Sequence, residues 1–94
     1  MTEKDLSPDG KLMKCITDNI IDTYERKNHD YGNSFEESLN KFGLVASAVR
    51  LSDKFNRFTT LITKEALVND ESMRDTLLDM ATYAIMTVMY LDKH

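Results

Sequence analysis

The chain has 94 residues, enough for one domain with a modest core, and 41% hydrophobic with 30% charged residues describes a globular chain, not a disordered one. With 3 Gly and 1 Pro it has too few turn formers for an all-β sandwich or barrel. A formal net charge of −4, from 12 basic and 16 acidic side chains, argues against wrapping duplex nucleic acid.

Residues 1–7 are polar and expected to be frayed, so a single domain over residues 1–94 begins in earnest at Ser7. Ser7-Pro8-Asp9 is a helix-start signal: a hydroxyl cap, Pro at the first helical position and an acid in the first turn. From there Met13, Ile16, Ile20 and Tyr24 recur at spacings of three and four, predicting one helix face to about Lys27. Asn28 to Asn33 is a turn-rich break containing Gly32. Ser34, with Glu37 three residues on, reads as a capping box opening a short helix that fades near Gly43. Leu44, Ala48, Leu51, Phe55, Phe58 and Ile62 form the seam of a third helix. Asn69 and Asp70 cap a last helix, whose seam runs Met73, Leu77, Met80, Ala84, Val88 and Leu91. The expectation is an all-α fold: a compact helical bundle of three long helices and one short one.

Cys15 is the lone cysteine and sits beside Ile16, so it is expected to be a small core residue. It cannot form an internal disulfide, and a thiolate zinc site would want two to four cysteines. The histidines are His29 and His94, which leaves no evident Cys-His or Ser-His-Asp chemistry. No apolar run approaches the roughly 20 residues that span a bilayer. The polar start also lacks the apolar stretch of a secretory signal, so a cytoplasmic setting without membrane contact is expected.

The last helix is apolar on more than one side: Ile85 and Met89 lie off its main seam, and Met86 and Tyr90 lie further round. A helix apolar nearly all round is usually buried. One short chain offers few internal partners, so a homo-oligomer, a dimer at least, is expected.

Two charged stripes carry the candidate chemistry. On the third helix Arg50, Lys54 and Arg57, with Asp53, fall within roughly 100° of each other beside the seam. On the last helix Glu71, Asp75 and Asp79 follow at i, i+4 and i+8, and like charges so spaced repel unless compensated. Either the basic stripe pairs with the acidic one across the helix interface, or both line one cleft. In a cleft the carboxylates would hold a hard ion such as Mg²⁺, and the cations would take phosphate oxygens. In the break at 28–34, Asp30, Tyr31 and Gly32 place an acceptor, a stacking ring and a hinge side by side. That is also an ordinary helix connection, but an aromatic beside a basic stripe suits a base and its phosphates.

Three motifs in order carry a family resemblance: Lys27-Asn28-His29-Asp30-Tyr31-Gly32-Asn33-Ser34; Arg50-Leu51-Ser52-Asp53-Lys54 with Arg57; and Glu71-Ser72 with Asp75-Thr76-Leu77-Leu78-Asp79 and Tyr83-Ala84. Together they resemble the phage and prophage family called nucleotide modification associated domain 1, over roughly residues 15 to 90. The resemblance implies a role around nucleotides, in the host bacterial cytoplasm if the chain is phage-encoded. More distantly, carboxylate-bearing helices in a small bundle are similar to the all-α nucleoside triphosphate pyrophosphatases, the MazG and dimeric dUTPase group. Those hold Mg²⁺ with a Glu-Glu-x-x-Glu motif and a later Glu-x-x-Asp motif. Here Glu36-Glu37 is followed by Asn40 at the third acidic position, and the later acids are spaced by four.

Three functions stay open on these grounds. One is a small protein that binds or sequesters a phosphorylated nucleotide, in nucleotide metabolism or in evading a host nucleotide signal. The second is a Mg²⁺-dependent nucleoside triphosphate pyrophosphatase, and the third is a structural or partner-binding bundle. The candidate ligand contacts are Asp30, Tyr31, Arg50, Asp53, Lys54 and Arg57. The candidate metal ligands are Asp75 and Asp79 first, then Glu71 and Glu37.

Overall fold

The computed structural model describes residues 2–28, 34–63 and 70–94. A short 3-10 turn at Glu3–Asp5 precedes α1 (Pro8–Arg26), α2 (Glu36–Phe42), α3 (Val45–Thr63) and α4 (Asp70–Lys93). This is the all-α bundle of three long helices and one short helix that the spacing predicts, and no strand occurs among the described residues.

The local signals explain most of the boundaries. Ser7 caps α1 as expected, its Oγ accepting from the Gly10 amide at 3.0 Å with Pro8 opening the helix. At the far end the Lys27 amide donates to the Thr23 carbonyl at 2.9 Å. Ahead of α1 the Thr2 amide and hydroxyl both donate to Asp5 Oδ2, at 3.1 and 3.0 Å. Ser34 does not act as the cap of α2: Phe35 occupies that position without a side-chain cap bond, and Ser34 gives its carbonyl to the Ser38 hydroxyl at 3.1 Å. Gly43 ends α2 with φ 74° and ψ −160°, donating its amide to the Leu39 carbonyl at 2.8 Å. The Ala46 amide then bonds the Gly43 carbonyl at 3.0 Å, so α3 starts directly off this bend. The expected cap at Asn69 and the break at 29–33 lie outside the described residues.

Packing concentrates at one end. Phe35 and Leu39, 2% and 1% exposed, meet Ala46 of α3 and Met86 of α4, with Tyr24, Tyr83 and Tyr90 against them. Phe35 and Tyr83 meet edge to face with ring centroids 4.9 Å apart. Truncating a fully buried aromatic such as Phe35 to Ala costs about 3–5 kcal/mol.

The long α3–α4 interface follows the expected seams only in part: Leu51, Phe58, Met73 and Met80 are half-buried. Its faces carry Ser47 and Lys54 on α3 and Thr76, Asp79, Tyr83 and Thr87 on α4. Buried Thr76 and Thr82 donate to the Ser72 and Leu78 carbonyls, at 2.9 and 2.8 Å, which satisfies hydroxyls that would otherwise be costly inside. Small hydroxyl side chains with internal partners can turn inward, and the helices rotate accordingly. The expected seam residues Leu44, Phe55, Ile62, Leu77, Val88 and Leu91 are exposed as a result. Cys15 is likewise exposed, not part of a core. It stands 100° round the helix from Ile16, whose line carries what contact α1 makes.

Candidate functional site

A cleft of about 330 Å³ opens between α1 and α4, at the lower end of the volumes that hold small ligands. Ile20 and Leu78 give it apolar wall. Around them stand three cations, Arg26 and Lys27 from the end of α1 and Arg74 from α4, and two carboxylates, Asp75 and Asp79, one turn apart on α4.

The positions follow from helix geometry. Asp79 and Asp75 lie seven and eleven residues before Met86, separations that return to nearly the same side of a helix, and Met86 faces the core. On α3, Asp53 and Arg57 lie seven and eleven residues after buried Ala46, with Arg50 close by. Both charged stripes therefore occupy the face of the α3–α4 layer that α1 and α2 cover.

Among the described residues the two stripes meet at one ion pair. Lys54 Nζ donates to Asp79 Oδ2 at 3.3 Å, with both side chains partly buried. The expected pairing across the interface is thus realised at Lys54, which ties the α3 stripe to a residue of the cleft wall. Arg50 instead lies over the Tyr83 ring, its Cζ 5.9 Å from the centroid. Asp53 and Arg57 are exposed on α3. Glu37 is exposed on α2, away from the cleft wall. Asp30, Tyr31 and the side chain of Glu71 lie outside the described residues. Among the described residues no three acidic, histidine or cysteine side chains come together as a ligand set for a metal. Nor, among them, is any helix long and apolar enough to cross a membrane.

Arg26 and Arg74 were not singled out by sequence reading. Arg26 reads as a helix-end cation, and its Nε donates to Asp22 Oδ2 at 3.2 Å, an ordinary i,i+4 pair. Arg74 reads as a break in an acidic stripe.

A family model described as nucleotide modification associated domain 1 matches residues 27–91. The chain belongs to that family. The matched span contains α2, α3 and α4 as far as Leu91, with the Lys54–Asp79 pair, and it begins at Lys27 on the rim of the cleft. The nucleotide modification associated domain thus includes the α4 wall of the cleft, and the α1 wall up to Arg26 precedes it. No curated protein and no solved structure matches the chain.

Proposed function

We propose that the chain binds a phosphorylated nucleotide in the cleft between α1 and α4 and holds it intact. The observation that carries this reading is the grouping of Arg26, Lys27 and Arg74 around a 330 Å³ cleft with an apolar wall. Guanidinium groups take phosphate oxygens bidentately, an ammonium adds a point charge, and Ile20 and Leu78 offer apolar surface to a base or sugar. The family's name points the same way. The α3 stripe, Arg50, Lys54 and Arg57, stands on the same face and extends the positive surface beyond the cleft. In a phage setting such a protein would withhold a nucleotide from host enzymes or sensors.

A second reading, metal-assisted hydrolysis, is favoured by Asp75 and Asp79 standing one turn apart on the wall. Mg²⁺ commonly takes one or two carboxylates and fills its shell with water and phosphate. Holding without hydrolysis is preferred here because Asp79 already engages the Lys54 ammonium at 3.3 Å.

Titration calorimetry with nucleoside mono-, di- and triphosphates and cyclic dinucleotides, each with and without Mg²⁺, tests the reading. At least one nucleotide should bind, and Arg74→Gln should weaken it by about 10–100-fold, the equivalent of about 1.5–3 kcal/mol for a charged hydrogen bond. Heating the complex should release the ligand intact, whereas recovery of a monophosphate and pyrophosphate would establish hydrolysis. Binding by none of these nucleotides overturns the proposal.

A further inference from the structure

We propose that two copies of this chain pair through the bare face of the α3–α4 layer. The layer is amphipathic in an unusual sense. Between its helices it places hydroxyls and an ion pair, Ser47 with Thr87 at 2.6 Å and Lys54 with Asp79 at 3.3 Å. Several of its large apolar side chains point elsewhere: Phe55 is 56% exposed, Leu77 42%, Val88 55% and Leu91 53%.

These side chains share one side. Phe55 lies nine residues after Ala46, and Leu77 nine residues before Met86, which is half a revolution round each helix. Ala46 and Met86 belong to the same core cluster under α2. The opposite sides of the two helices are therefore one continuous surface, facing away from α1, α2 and the cleft. Along it Leu77, Ala84, Val88 and Leu91 follow at seven, four and three, and Leu44, Ala48, Phe55 and Ile62 on α3 at four, seven and seven. That is the repeat by which helices pack on helices, and among the described residues these large side chains stay exposed.

Area is consistent with a second copy as the occupant. The chain exposes 6982 Å², whereas a folded monomer of this mass exposes about 5,500 Å². A standard interface takes about 800 Å² from each partner, and the excess, about 1,500 Å² over the whole chain, is more than enough to supply it. A two-helix apolar plate is also self-complementary: two of them, related by a two-fold axis, close a four-helix core with no edge left over. The cleft lies on the far side of each layer, so each copy keeps its own and pairing does not require ligand.

Sedimentation equilibrium of the full chain from 1 to 200 μM tests this directly. The expected mass is that of two chains, falling toward one chain at the lowest concentrations. A one-chain mass throughout overturns the proposal and leaves the face to a different protein. Val88→Lys should give a one-chain mass with helical circular dichroism retained, and Leu12→Lys on α1 should leave the dimer intact. If Val88→Lys does not fold, the milder Val88→Ala should raise the dimer dissociation constant at least tenfold. An unchanged constant, or a two-chain mass surviving both Val88→Lys and Phe55→Lys, overturns the assignment of this face.

Discussion

Lys54 Nζ on α3 lies 3.3 Å from Asp79 Oδ2 on α4, and among the described residues this is the ion pair that joins those two helices. Partial exposure of both groups, 29% and 38%, keeps water near them and limits what the pair contributes. Asp79→Asn should therefore lower stability by about 0.5–1 kcal/mol, or about 2–8 °C in Tm for a domain of this size. The loss should be the same with and without Mg²⁺ and should shrink in high salt. A Lys54→Gln and Asp79→Asn double-mutant cycle followed by thermal melts should return a coupling of that size. If Asp79 served a metal instead, the Tm loss would be small and a Mg²⁺ effect on the wild type would vanish in the variant.

The hydroxyl relay beside it predicts an asymmetry. Thr87 Oγ1 donates to the Tyr83 carbonyl at 2.8 Å, so the proton between Ser47 and Thr87, 2.6 Å apart, comes from Ser47. Ser47→Ala removes a donor and leaves Thr87 bonded, at a cost of about 0.5–1.5 kcal/mol. Thr87→Val strands the hydroxyl of Ser47, which is buried, and should cost about 1–3 kcal/mol. Urea denaturation of the two variants measures the difference, and equal costs would show that Ser47 finds another acceptor.

Loss of the α1 cap should be felt in α1 itself. No residue of α1 is buried, so its helix is held by few tertiary contacts and leans on its own ends. Ser7→Ala removes the bond to the Gly10 amide and should cost about 1 kcal/mol. Its effect should appear as faster hydrogen exchange in the first turns of α1, with α3 and α4 unchanged.

The elements themselves were legible because their signals are local. Ser7-Pro8 starts a helix and Gly43 stops one whatever surrounds them, and the 3.6-residue period sets the helix lengths. Rotation about each helix axis was not legible in the same way. The seam reading assumed that the largest apolar residues face the rest of the chain, but Thr76, Thr82 and Thr87 find acceptors along their own helix and so pack inward. That placement leaves Leu77 and Val88 outside the core, and it sets Asp75, eleven residues before Met86, on the core side of α4. Asp75 and Asp79 were recognisable as a stripe from spacing alone. The partners supplied by α1, Arg26 and Lys27, depend on how the chain crosses between helices, which spacing within one helix cannot encode.

Gly43 offers the sharpest stability test. Its φ of 74° with ψ of −160° lies in a region that is essentially restricted to glycine, distinct from the left-handed helical region that Asn also tolerates. Beyond its chain neighbours no atom lies within 4 Å of the position a Cβ would take, so the penalty of a side chain is conformational and not crowding by the rest of the fold. Gly43→Ala and Gly43→Asn should therefore be destabilising alike, by about 1–3 kcal/mol or about 5–20 °C in Tm. A helix-capping glycine in the left-handed helical region behaves differently, since Asn there recovers much of the loss. The bend at Gly43 carries α2 back across α3 and sets Leu39 and Phe35 against Ala46 and Met86, so strain there acts on the best-packed part of the molecule. Thermal melts of the two variants decide the point: rescue by Asn would mean that the backbone relaxes toward the left-handed helical region, and that the bend is softer than its ψ implies.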